Sequence, residues 1–171
     1  MGRKTVRKVV TTAGVLLAGA GASLAAMAAT AAPAQAAAPA PAVAPATLQS
    51  RLVTYTNNTR VRAGCKPIRV DQRLLLASRG HSAYQARTNK MSHIGSGGSS
   101  FGTRAKRAGY AYPQSENVAY GHRTASATMK AWMASPGHRA NIVNCKAKSM
   151  AVGVAYSANG TPYYTQMFGW T

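Results

Sequence analysis

The first 46 residues differ from the rest of the chain and confine any hydrophobic core to residues 47–171. Arg3, Lys4, Arg7 and Lys8 precede an uncharged apolar run over residues 9–32, and Ala34-Gln35-Ala36 matches the pattern of a cleavage site. This order predicts a cleavable signal peptide over residues 1–36. A membrane anchor is the alternative, although Ala, Gly and Thr dilute the run for a spanning helix.

Alternating Ala and Pro occupy residues 37–46. Such a composition favours an extended spacer and cannot build a core. We therefore predict one domain over residues 47–171, a length that suffices to bury a real core. No second long apolar run is present, so no transmembrane segment is expected after cleavage.

The charge balance is strongly one-sided, with 21 Lys and Arg against two acidic residues. Because four of the 21 lie within residues 1–36, the remainder carries 17 basic and two acidic residues, a net charge of +15. Such a domain attracts polyanions, including nucleic acid, anionic lipids and acidic wall polymers. A solvated basic surface is the alternative, and no motif predicts specific nucleic-acid binding.

Cys65 and Cys145 are the two cysteines of the chain. In an oxidising compartment such a pair is expected to form one disulfide, with two free thiols as the alternative.

Apolar spacing indicates helices first and strands last. Leu48, Leu52 and Tyr55 line a first helix, and Asp71 caps a second whose inward face carries Leu74, Ala77, Ser78, His81 and Gln85. A short helical stretch begins near Phe101, and Thr124 caps a helix with Trp132 in its core. Alternation around Asn159-Gly160 predicts a C-terminal β-hairpin. This order is typical of an α+β domain with an antiparallel sheet.

Few residues could carry chemistry. Asp71 is explained as a helix cap, whereas Glu116 is the only glutamate and could serve a site or a simple salt bridge. His81 falls on an apolar helix face and His122 in a turn, so both are expected to be structural. His93 and His138 lie at the ends of elements, where functional residues collect. Two imidazoles and a carboxylate could form an open site for zinc or a similar ion.

Several motifs together resemble the CAP superfamily, which includes cysteine-rich secretory proteins, insect venom antigens and plant pathogenesis-related proteins. They run in family order over residues 47–169 and are most similar to the bacterial secreted branch: GCKPIRVDQRLLLASRGHS, MSH before a Gly/Ser loop, FGTRAKRAGY, SENVAYG, WMASPGHRANI, VGVAYSANG and YYTQMF. The resemblance implies a single-domain α-β-α sandwich with a central cleft.

The family places two histidines and two acids in that cleft. By motif the histidines are His93 and His138 and one acid is Glu116, while the second acid, three residues after Trp132, is replaced by Ser135. The three remaining residues are a candidate zinc or other divalent-metal site, with Glu116 as the candidate catalytic residue. Without a second acid, the residues favour a binding protein over an enzyme.

The leading interpretation is a secreted ligand-binding module, monomeric, at or beyond the cell wall, with wall polymers or lipids as candidate partners. One alternative is a metal-dependent hydrolase of protease type that uses Glu116 as base. Another is a cationic domain that adheres to anionic surfaces or acts on membranes through charge.

Overall fold

The computed structural model describes residues 42–171, so the predicted signal peptide and all but the end of the linker lie outside the described residues. Five α-helices are present in the described range: α1 (Pro45–Arg62), α2 (Gln72–Thr88), α3 (Phe101–Arg107), α4 (Ala125–Ala134) and α5 (Pro136–Ile142). Four strands form one sheet: β1 (Arg69–Val70), β2 (Pro113–Tyr120), β3 (Ser149–Tyr156) and β4 (Pro162–Gly169). The first helix begins two residues before the predicted domain boundary.

Local capping explains where the two central helices begin. The Asp71 carboxylate accepts from the backbone N–H groups of Arg73 and Leu74 at the start of α2, and the Thr124 hydroxyl accepts from Ala127 at the start of α4. Both caps agree with the sequence prediction. The α2 helix ends at Thr88, because Asn89 adopts a left-handed conformation with φ 51°.

The sheet has the strand order β1-β3-β4-β2. The predicted hairpin is confirmed, since β3 and β4 pair antiparallel from Ser149↔Gly169 to Tyr156↔Pro162. Its loop is longer than a two-residue turn, and Gly160 supplies the positive φ. Strand β2 pairs antiparallel with β4 and forms one edge, whereas the short β1 adds a parallel pairing with β3. The antiparallel sheet is thus extended at one edge by a two-residue parallel strand.

Helices cover both faces of the sheet, as an α-β-α sandwich requires. One core cluster joins α1, α4 and α5 to Met150, Val152 and Tyr164, and the other joins α2 and α3 to Ala151 and Met167. Alternate residues of one strand therefore enter opposite cores. Among residues 42–171, no helix combines the length and the apolarity needed to cross a bilayer.

Cys65 and Cys145 form the predicted disulfide, with their Cα atoms 4.9 Å apart. The bond joins the segment after α1 to the segment after α5. It therefore ties two segments that lie 80 positions apart in the sequence.

Candidate functional site

Glu116 occupies the middle of the edge strand β2, opposite Met167 of β4. Its side chain is only 1% exposed. Neighbouring Asn117 lies on the opposite face of the strand, where its side chain donates to Gln166. Because β2 is an edge strand, elements from both helical layers can reach Glu116.

An arginine and a histidine bind the Glu116 carboxylate, one on each oxygen. His93 Nδ1 lies 2.9 Å from Oε1, and Arg104 Nη2 donates to Oε2 at 2.6 Å. Glu116 therefore forms a salt bridge, one of its two predicted roles, and one of its partners is His93, another predicted site residue. A buried carboxylate requires such partners, since an uncompensated charge in a protein interior is costly.

Arg104 binds more than the carboxylate. It belongs to α3, which starts at the N-cap Ser100, and its Nη1 donates to the carbonyls of Ser99 at 2.5 Å and His93 at 3.1 Å. One guanidinium thus ties Glu116 to the loop that carries His93. Nothing in the local sequence pattern separates this arginine from the other cations, so the sequence alone did not identify it.

Side chains of α2 form hydrogen bonds to the loop that carries His93. His81 Nε2 donates to the carbonyl of Ser92 at 2.7 Å, and the N–H of Ser92 donates to Gln85 Oε1 at 3.1 Å. His81 is 1% exposed. It is therefore the packed, hydrogen-bonded core histidine that its place on the apolar helix face predicts, and it positions the residue next to His93.

His138 and Asn141 approach from α5, on the other side of β2. The Asn117 side chain donates to the His138 carbonyl at 3.2 Å, and Asn141 donates to Asn117 Oδ1 at 2.8 Å. Ser135, which stands where the family has its second acid, joins α4 to α5 through backbone hydrogen bonds. The serine side chain caps neither helix.

A cleft of about 410 Å³ opens beside these residues. Its walls combine polar and apolar groups: His93, Ile94, Ser100, Phe101, Gln114, Ser115, Glu116 and Asn141. The His93 side chain is 56% exposed, in contrast to its buried partner Glu116. The imidazole is therefore the ionisable group that the site presents most openly to a ligand.

The environment shifts the pKa values of three of the four histidines, one upward and two downward. The hydrogen bond to Glu116 raises the pKa of His93 above its usual value, against an opposing effect of burial. Burial lowers the pKa of His138, and the charge of His93 lowers it further. Burial also lowers the pKa of His81. The influence of His93 on His138 indicates that the two imidazoles lie close enough to interact electrostatically.

These contacts affect which of the predicted residues could hold a zinc ion. Within residues 42–171, no group of three His, Cys, Asp or Glu side chains is disposed to hold a metal together. Glu116 has both oxygens engaged, so it acts here as a partner of His93. Of the predicted ligands, His93 keeps Nε2 for a ligand while its Nδ1 is oriented by a carboxylate, as is usual for a metal-binding histidine. The full predicted metal set stays a prediction.

Comparisons with known proteins agree with this fold. The model of the cysteine-rich secretory protein (CAP) family matches residues 53–168. YkwD of Bacillus subtilis (strain 168), an uncharacterised protein, is 34% identical over 128 residues, which cover 71% of this chain and 47% of the relative. The chain thus spans about half the length of that relative.

Solved structures show the same architecture. An extracellular protein with an SCP domain from Bacillus anthracis (strain Ames) has a TM-score of 0.68 at 26% identity, covering 74% of this chain and 41% of that one. A cysteine-rich secretory protein from Staphylococcus aureus (Mu50) has a TM-score of 0.61 at 20% identity, covering 77% and 41%. The chain belongs to the cysteine-rich secretory protein (CAP) family.

Proposed function

We propose that the domain is an extracellular binding module whose cleft takes a segment of a cell-wall polymer, with His93 as its principal contact. The observation that carries this proposal is the contrast between an exposed imidazole and the buried carboxylate that orients it. Orientation by a fixed partner reduces the entropy lost when a ligand binds. The disulfide and the extracellular relative support a location outside the cell.

The cleft walls indicate the chemistry of the ligand. Gln114 and Asn141 offer amides, and Ser100 and Ser115 offer hydroxyls, beside the apolar side chains of Ile94 and Phe101. Amide and hydroxyl groups can donate and accept hydrogen bonds. A sugar or peptide unit with both polar and apolar faces matches this lining.

A divalent ion such as zinc would be held by His93 and His138 and would supply a Lewis-acid centre in the cleft. The geometry favours binding over hydrolysis with Glu116 as base. The Glu116 side chain is 1% exposed and its oxygens already accept from Arg104 and His93, so water has little access to this carboxylate.

The test is titration of soluble peptidoglycan fragments into the secreted protein, with and without added zinc. We expect His93→Ala to weaken binding about tenfold or more, since it removes the exposed hydrogen-bonding group of the cleft. His122→Ala is the matched control, because His122 lies in the turn before α4 and contributes only its backbone carbonyl to Tyr164. Equal binding by wild type and His93→Ala, or no binding of any fragment, would contradict the proposal.

The charge distribution supports a second candidate function, adhesion to anionic surfaces. Asp71 and Glu116 are both buried and ion-paired. Among the described residues, every Lys and Arg except Arg60 and Arg104 is exposed. Attraction of this kind is screened by salt, so adhesion to anionic vesicles should fall steeply between about 0.05 and 0.5 M salt. Binding that is insensitive to salt would exclude it.

A further inference from the structure

A second cavity adjoins the cleft on the other side of Ile94. Its volume is about 260 Å³, and Ile94 lines both cavities. The remaining walls are mostly polar or glycine and include Tyr84, Thr88, Lys90, Ser92, Gly97 and Gly98. The Ile94 side chain is 55% exposed and forms a ridge between two neighbouring depressions. A linear ligand could cross this ridge and occupy both.

The end of α2 places a lysine in this second cavity. Asn89 leaves the helix in the left-handed conformation, and the N–H of Lys90 donates to the Gln85 carbonyl at 3.1 Å. The Thr88 hydroxyl donates to the Tyr84 carbonyl at 2.9 Å. The Gln85 carbonyl at the helix end is therefore already hydrogen-bonded, and Lys90 supplies the positive charge at this end of α2.

Glycine keeps the opposite wall open. Gly97 and Gly98 have φ values of 62° and 72°, a region that residues with side chains rarely adopt. An added Cβ at either position would meet no atom within 4 Å. The wall therefore consists of backbone that a ligand can approach closely.

The charges around the cavity are positive. Lys90 lines it directly, and Arg87 lies over the ring of Tyr84, 5.8 Å from the centroid. Among the described residues no acidic side chain lines this cavity. Of the two acids, Asp71 is paired with Arg73 at the far end of α2, and Glu116 is paired with Arg104. An anionic group here would meet attraction without a competing carboxylate.

We propose that the Lys90 cavity is an anion subsite of the cleft: a polymer lying across Ile94 places an uncharged unit against His93 and a carboxylate or phosphate at Lys90. This inference rests on the proposed function and specifies its ligand as an anionic wall polymer. Lys90 acts as the specificity-determining residue, because it distinguishes charged from neutral forms of one fragment.

The experiment uses two forms of one disaccharide-peptide fragment, with its terminal carboxylate either free or amidated. Calorimetry should show wild type binding the free acid about tenfold more tightly, as expected for a charge-assisted contact. Lys90→Gln should abolish this preference by weakening binding of the free acid more than that of the amidated fragment. Lys130→Gln, at an exposed lysine of α4, is the control of equal charge change and should retain the preference.

Competition with inorganic phosphate tests whether the Lys90 cavity accepts a phosphate as well as a carboxylate. Phosphate should compete with the free acid and leave the amidated fragment bound. The proposal is overturned if wild type shows no preference, if the preference survives Lys90→Gln, or if Lys130→Gln removes it equally. Amidated-fragment binding that depends on His93 tests the cleft separately, so the subsite can fail while the proposed function stands. Absence of all fragment binding would overturn both.

Discussion

The positions of His93 and Arg104 depend on the buried carboxylate of Glu116, which binds both side chains. Arg104 binds one oxygen of Glu116 and His93 binds the other, so the carboxylate remains compensated whether the imidazole is neutral or protonated. The same arginine fixes the backbone at His93. Arg104 is therefore a positioning residue, which acts on a ligand only through its neighbours.

The titration of His93 tests this arrangement. Because Glu116 raises the pKa of folded His93, the pair contributes stability that is fully present below the unfolded value of about 6.5 and is lost as pH rises through the folded pKa. Glu116→Gln should lower the pKa of His93, since an amide cannot offset the imidazolium charge. NMR titration in buffer with a metal chelator measures it.

His138 provides an internal control in that titration. Its pKa is lowered chiefly by burial, so it should remain below its usual value in the Glu116→Gln protein. A His93 pKa that is unchanged or higher in this variant would contradict the assigned role of Glu116.

Among the elements, α2 connects the core to the site. The predicted inward face, from Leu74 to Gln85, is buried against β3 and β4 and also supplies the contacts that hold Ser92. Close approach is possible because Gly153 faces the helix, where an added Cβ would clash with the backbone carbonyl group of Ser78. A glycine in a strand often marks such a contact.

Gly153→Ala should destabilise the domain by about 1–3 kcal/mol or more, because backbone atoms of α2 would have to move. Urea unfolding measures the change. Gly137→Ala is the control, since an added Cβ there meets no atom within 4 Å. A Gly153→Ala protein with wild-type stability would show that α2 moves away from β3 at little cost.

For the whole molecule, Cys65–Cys145 and Arg60 close the same long loop. Arg60 is fully buried and donates to carbonyls on both sides of the disulfide, at Lys66 and at Ile142 and Asn144. Burial lowers the pKa of this guanidinium from its usual value. Backbone carbonyls, rather than a carboxylate, thus compensate a buried cation.

Replacing both cysteines with alanine should lower the free energy of unfolding by about 4–5 kcal/mol, as chain entropy predicts for residues 80 positions apart. Denaturant unfolding under identical conditions measures the loss. We expect the folded variant to keep its structure, because Arg60 still joins the two segments. An unchanged midpoint would argue against an entropic contribution of this size.

Local signals in the sequence determined much of this protein. Helical periodicity, the caps Asp71 and Thr124, the β3–β4 hairpin and the disulfide all agree with the structure. Family motifs also indicated His93 and Glu116, which the fold brings into hydrogen-bonding distance. The helices, caps and hairpin are readable because each depends on residues a few positions apart, and the site residues because their motifs can be recognised directly. The disulfide is readable because the chain has two cysteines, which leaves one pairing within it.

Only the tertiary structure decided which distant groups meet. It selected Arg104 among 17 basic residues as the partner of Glu116, made β2 an edge strand, and paired β1 with β3 across about 80 residues. It also placed Lys90 and His93 in cavities that share Ile94. Such choices depend on long-range packing and on the cost of leaving buried charges uncompensated, and no local pattern encodes either.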